Sequence, residues 1–209
     1  GVVLGMTAGA AAFGALVHYV LVVTAIGTII MLSAYPVAMF GARFNLFDFA
    51  RAAIPAQSVA ISTQSSLASL PAMVQGAKQL GVGARSTDIV LPMAVAIFRA
   101  TSPAMNLAVA IYVAHWMGIE LGPEQIVIGV AVASITTLGS VSLPGSISFI
   151  AAIAPICIAM GIPIEPLAVL VAIETFPDIM RTLGNVTMDI AVTGTIARAE
   201  GDLEKGEAA

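Results

Sequence analysis

Glu174-Thr-Phe-Pro-Asp178-Ile-Met-Arg181-Thr182-Leu-Gly-Asn185-Val-Thr-Met-Asp189 is the stretch on which the fold turns. Its polar members fall at offsets 0, 4, 7, 8, 11 and 15 from Glu174. At about 3.6 residues per turn they share an arc of roughly 100°. The other faces carry Ile, Phe, Met, Leu and Val. The spacing therefore predicts a helix with four formal charges on one stripe. Its surroundings decide what solvent that helix meets. Of 209 residues, 59% are hydrophobic and 10% charged, and the mean hydropathy is +1.01. A soluble domain carries about a quarter charged residues, so this chain is read as an integral membrane protein. A charged stripe inside a bilayer is costly and must face a cavity or partners.

Several function classes fall away on the same grounds. Eight Lys+Arg against twelve Asp+Glu give a net charge of −4, with no basic run to neutralise a phosphate backbone, so no nucleic-acid partner is expected. Cys157 is the single cysteine; it can form no internal disulfide and reads as a small buried hydrophobe. Ser, His and Asp occur, but nothing places them as nucleophile, base and orienter, so the chain is not read as an enzyme and needs no organic cofactor. The sequence opens inside an apolar run with none of the marks of a signal peptide, which suggests the C-terminal part of a longer chain.

Residues 1–42 contain no charged side chain. That run is too long for one crossing of about 20 residues, and it reads as the end of one helix followed by a full span near 14–41. Residues 52–77 are also uncharged, but their centre, Ser62-Thr-Gln-Ser65-Ser66-Leu-Ala-Ser69-Leu-Pro71, is polar. Unsatisfied polar groups facing lipid cost several kcal/mol each. Two half-length helices meeting at a polar tip fit better, so 43–85 is read as a first re-entrant hairpin. Residues 125–164 repeat the pattern around Thr136-Thr137-Leu-Gly139-Ser140-Val-Ser142-Leu143-Pro144-Gly145-Ser146, and 120–164 is read as a second hairpin.

Each hairpin precedes a segment with intramembrane charge: 86–119, a transmembrane helix with an unwound polar centre holding Arg99, and 165–209, the last helix and its tail. Both tips contain Ser-Leu-Pro, at 69–71 and 142–144. Duplicated units with broken helices point to an all-α secondary transporter built from inverted repeats. Arg43, Arg51, Lys78 and Arg85 flank the first hairpin, and Arg198 and Lys205 follow the last span, whereas 117–125 and 161–166 carry no Lys or Arg. The positive-inside rule then enters the first hairpin from the cytoplasm and the second from outside, with a cytoplasmic C-terminus.

On the stripe itself, Arg181 offers a planar fork for a substrate carboxylate. Asp178 can pair with an ammonium group, Thr182 and Asn185 can add hydrogen bonds, and Asp189 can hold a cation. The competing reading is a salt-bridge ladder in which Asp178 and Arg181, at i and i+3, pair with each other and do nothing else.

The run Asp178-Ile-Met-Arg181-Thr182-Leu-Gly-Asn185-Val186-Thr187-Met-Asp189 closely resembles the final helix of the dicarboxylate/amino acid:cation symporter family, which includes the glutamate transporters. The serine-rich first tip and the Pro-Gly second tip resemble its two hairpins, in the same order, and the likeness covers essentially the whole chain. It implies a glutamate-transporter-like transport domain whose trimer-forming scaffold lies upstream, in the plasma (inner) membrane. It also implies symport of acidic amino acids or dicarboxylates by alternating access. By that resemblance Arg181 binds a distal carboxylate and Asp178 the amino group, with Thr182, Asn185, Ser65, Ser66, Ser102, Leu143, Pro144, Gly145 and Ser146 lining the substrate site. Asp189 and Asn185 correspond to one sodium site, and Thr137 and Ser140 to a second, with Na+ or H+ as the coupling ion.

One departure stands out. Where the family's seventh span carries Asn-Met-Asp-Gly-Thr, this chain has Phe98-Arg99-Ala100-Thr101-Ser102. Both sodium-ligating side chains are replaced and a fixed positive charge is added. Leu67 likewise stands where the last serine of the tip is usual. Arg99 is therefore read as a charge substitute for sodium opposite Asp189, with pairing to another acid such as Glu174 as the competing reading. An uncoupled substrate-sensing or anion-conducting protein of the same fold is the alternative function.

Overall fold

A computed structural model describes residues 2–139 and 146–204, with side chains over 12–138 and 148–204. Among these residues the elements are helices, and the extended pairing is confined to an isolated antiparallel bridge between Val82 and Leu203. Helix α1 (Val2–Pro36) runs into a π-helical turn (Val37–Ala42) that ends at Arg43 in a left-handed conformation. Asn45 caps α2 (Leu46–Thr63) by accepting from the Phe47 amide at 2.9 Å. After Gln64, Ser65 caps α3 (Ser66–Gln79) by accepting from the Ala68 amide at 3.2 Å. A two-residue joint thus separates two helices that pack on each other. Their approach is close: a Cβ on Gly76 would stand 2.3 Å from the Ala52 carbonyl oxygen, so α3 needs glycine there.

A π-helical turn (Ser86–Val90) leads into α4 (Leu91–Ile97), and the chain then leaves the helix until α5 (Ser102–Trp116). Pro103 explains the break. In a continuous helix its ring would clash with the carbonyl of residue 99, and its missing N–H would leave that carbonyl unbonded. Helices α6 (Pro123–Gly139) and α7 (Ser146–Met160) form a second packed pair. The positions between them, Ser140, Leu143, Pro144 and Gly145, lie outside the described residues, as does the side chain of Ser146. A short helix, α8 (Leu167–Leu170), and a 3-10 turn (Val171–Ile173) lead to α9 (Thr175–Ala199).

Two stretches, Ala12–Ala42 and Ser86–Trp116, are 31 residues each and apolar enough to cross a bilayer. The interior divides into two apolar clusters. One gathers Phe49, Met73, Leu91, Val186 and Ile190 around α2, α3, α4 and α9. The other gathers Tyr19, Val23, Met105, Ile153 and Ile156 around α1, α5 and α7. Helix α1 serves both, through Ala34 in the first and Tyr19 and Val23 in the second. Leu21, Phe40, Phe47, Ile135 and Ile158 are exposed, an apolar exterior suited to lipid or further protein rather than water.

Candidate functional site

Helix α9 begins where a proline is tolerated, because Pro177 lies in the first turn, whose amides have no helical partner. The positive end of the helix dipole also favours the acids Glu174 and Asp178 at this end. Arg181 sits on both. Its Nη2 donates to Glu174 Oε1 at 2.6 Å, and its Nη1 to Asp178 Oδ1 at 2.8 Å. The side chains of Arg181, Glu174 and Asp178 are 12, 8 and 30% exposed, so the cluster opens at Asp178. From α1, the Tyr19 hydroxyl donates to the second Glu174 oxygen, Oε2, at 2.7 Å. Thr182 donates its hydroxyl to the Asp178 carbonyl at 2.9 Å.

Further along, α9 is tied to the break between α4 and α5. Asn185 Oδ1 accepts from the Thr101 amide at 2.9 Å and lies 2.7 Å from the Thr101 hydroxyl. That hydroxyl also lies 2.8 Å from the Arg181 carbonyl, and Asn185 Nδ2 is 3.5 Å from Ser102 Oγ. The contact is tight at Gly184, where a Cβ would stand 2.2 Å from Thr101 Cγ2. Helix α2 reaches the same helix through Gln57 Nε2, which donates to Thr187 Oγ1 at 3.0 Å.

Asp189 differs from the other acids. It is 1% exposed, and neither carboxylate oxygen has a hydrogen-bond partner among the described residues. Its electrostatic partner is Arg99. The Arg99 guanidinium acts in turn on Asp189, Asp178 and Arg181. Glu174 is instead committed to Arg181 and Tyr19.

Of the stripe predicted from spacing, Arg181 bonds Asp178 and Thr182 bonds the Asp178 carbonyl, Asn185 turns to Thr101 and Ser102, and Arg99 acts electrostatically on the buried Asp189. Of the first tip, Ser65 engages the Ala68 amide and Ser66 is buried, while α3 packs on α9. Thr137 donates to the Ala133 carbonyl at 2.7 Å within α6. Among the described residues no three His, Cys, Asp or Glu side chains converge as metal ligands. Sequence reasoning missed Tyr19 and Thr101. The signal for Tyr19 was a phenol in a charge-free run, since a buried Tyr hydroxyl needs a partner. Chemically, a buried Arg fork held by two acids of its own helix can exchange either one for the carboxylate of a ligand.

The sequence profile of the sodium:dicarboxylate symporter family matches residues 2–199. Excitatory amino acid transporter 2 of Homo sapiens is 30% identical over 155 residues, covering 74% of this chain and 27% of that protein. C4-dicarboxylate transport protein 2 of Ralstonia nicotianae is 28% identical over 190 residues, covering 90% of this chain and 40% of that protein. The proton/glutamate-aspartate symporter of Escherichia coli is 29% identical over 150 residues, covering 72% and 34%. The chain thus spans well under half the length of these relatives.

Proposed function

Because this chain belongs to the sodium:dicarboxylate symporter family, a family of transporters rather than enzymes, we propose that it forms the substrate-binding part of a secondary active symporter. The cargo is an acidic amino acid or a dicarboxylate, the two classes named in its relatives. The observation that carries this reading is Arg181, its side chain 12% exposed on a membrane-protein helix and both arms of its fork on carboxylates at 2.6 and 2.8 Å. A bidentate guanidinium site is matched in geometry to carboxylate ligands. In the substrate-bound state a distal carboxylate takes an arm of Arg181 and an amino group pairs with Asp178. Thr182, Asn185, Ser102 and the two tips, Ser65–Ser66 and Leu143–Ser146, complete the pocket.

The helical pairs α2–α3 and α6–α7 act as re-entrant hairpins of an inverted repeat, and alternating access moves the α9 stripe between the two sides of the plasma membrane. A homotrimer through an upstream scaffold and a cytoplasmic C-terminus complete the reading. Coupling departs from sodium: Arg99 supplies near Asp189 the positive charge that a bound cation supplies elsewhere in the family. The electrostatic pairing of these two side chains supports this, as does the absence of a hydrogen-bond partner for Asp189 among the described residues.

The test is binding of L-aspartate and succinate to the full-length protein, with sodium varied at constant ionic strength. Arg181→Cys lowers the affinity for both ligands by at least about thirtyfold if the assignment is right. Unchanged affinities reject it. Steep sodium dependence in the unmodified protein rejects the role of Arg99 while leaving Arg181 in place.

A further inference from the structure

Thr101 turns its hydrogen-bonding groups away from its own helix. It is buried and stands at the N-cap of α5, where a threonine hydroxyl ordinarily accepts from an amide of the first turn. Among the described residues it makes no such bond. Its hydroxyl lies instead 2.7 Å from Asn185 Oδ1 and 2.8 Å from the Arg181 carbonyl oxygen, both on α9. With one proton it donates to one of the two at a time. The Thr101 N–H donates to the same Asn185 Oδ1 at 2.9 Å. That N–H is available because the chain leaves the helix after Ile97. Gly184 admits the approach, since a Cβ there would collide with Thr101 Cγ2.

Asn185 is thereby fixed in one of its two amide orientations. A carboxamide offers an acceptor oxygen at one end and a donor nitrogen at the other, in nearly the same shape. A backbone N–H can only donate, so the end that meets Thr101 is the oxygen. Turning the amide over would set Nδ2 against that N–H. With the Thr101 N–H and hydroxyl both on Oδ1, the hydrogens of Nδ2 are what remains for a ligand. Nδ2 lies 3.5 Å from Ser102 Oγ, too far for a strong bond. We propose that Thr101 is a positioning residue for substrate binding: it holds Asn185 so that a ligand meets donors only at this point, which suits a second carboxylate and refuses an ammonium group.

This inference rests on the reading of Asn185 as a substrate contact, and Thr101 acts through it from behind. Acidic amino acids and dicarboxylates share two carboxylates and differ at the ammonium group. With Arg181 on one carboxylate and Asp178 on an ammonium group where there is one, a donor-only Asn185 serves the part that both classes share. The break between α4 and α5 then has a role in specificity, because it supplies both the free N–H and the hydroxyl that hold the amide.

The experiment splits the threonine side chain in two and measures binding of L-aspartate and succinate to the full-length protein. Thr101→Val keeps the methyl group against Gly184 and removes the hydroxyl; affinity for both ligands is expected to fall about fivefold or more. Thr101→Ser keeps the hydroxyl and removes the methyl group; it is expected to lose thermal stability, through the small cavity left behind, and to retain affinity. Unchanged affinity in Thr101→Val overturns the proposal. A loss in Thr101→Ser as large as that expected of Thr101→Val overturns it as well, because packing would then be what matters. A double-substitution cycle tests the route through Asn185. In Asn185→Ala, adding Thr101→Val is expected to change affinity by less than about twofold, and additive losses overturn the proposal. Each of these failures leaves the Arg181 reading standing. Failure of both ligands to bind the unmodified protein overturns both.

Discussion

The first two turns of α9 and its middle solve the same problem in opposite ways. At the start, Glu174, Asp178 and Arg181 satisfy one another through direct bonds of 2.6 and 2.8 Å, helped by Tyr19. In the middle, Asp189 is buried without a hydrogen-bond partner among the described residues, and the cation that acts on it, Arg99, comes from another segment. Direct pairs at a partly open end can be traded for a ligand. A charge balanced across a helix contact depends instead on that contact staying in place.

The largest expected effect breaks the first half. Arg181→Cys removes the shared cation and leaves the buried Glu174 without it, and loss of one partner of a buried charge pair costs about 2–5 kcal/mol. Affinities for L-aspartate and succinate are expected to fall together by at least about thirtyfold. Asp178→Asn sharpens the assignment, because it penalises L-aspartate, which carries an ammonium group, more than succinate.

A second substitution acts at the seam between the halves. Gly184→Ala places a methyl group 2.2 Å from Thr101 Cγ2. Overpacking of this kind costs about 1–3 kcal/mol. Since Thr101 is bonded to Asn185, the substitution is expected to lower thermal stability and ligand affinity together. A drop in stability with ligand affinity unchanged would show that the two halves do not communicate through Thr101.

Arg99→Ala tests the middle. Arg99 is only partly buried, so its loss is expected to cost less than that of Arg181, about tenfold in affinity. Added sodium is expected to restore part of that loss, and an equal response to choline would count against a specific cation role.

The smallest effect concerns a carboxylate of the same chain in water. Asp202 accepts from the Ser86 amide at 2.7 Å, and its own carbonyl accepts from Gly83 at 2.7 Å, docking the end of α9 on the turn before α4. The hydrogen bond to Ser86 holds its carboxyl below the usual range. A group whose value is lowered on folding stabilises above its unfolded value, about 4 for Asp, and loses that contribution as pH falls through its folded value. Neutral pH therefore leaves the contact intact. Protection of the Ser86 amide from hydrogen exchange, taken relative to its intrinsic rate at each pH, is expected to be flat from pH 8 to 5 and lower in Asp202→Ala.

Much of α9 was legible from composition and period. The shortage of charge indicated a membrane protein, and helical spacing alone placed Glu174, Asp178, Arg181, Thr182, Asn185 and Asp189 on one face. The helical joint at Gln64–Ser65 and the break at Phe98–Thr101 fall at polar interruptions of apolar runs, because backbone that leaves a helix needs side chains and turns to satisfy it.

Partner choice was not legible. Arg181 could reach an acid at i−3 or i−7, and only the folded chain shows it holding both. Tyr19 meets Glu174 across 155 residues, and Thr101 meets Asn185 across 84. Periodicity fixes which residues share a face because it is a property of one helix. Which charge is paired, and which is left to a distant cation, depends on how α1, α9 and the α4–α5 break pack together, and only the tertiary structure decides that.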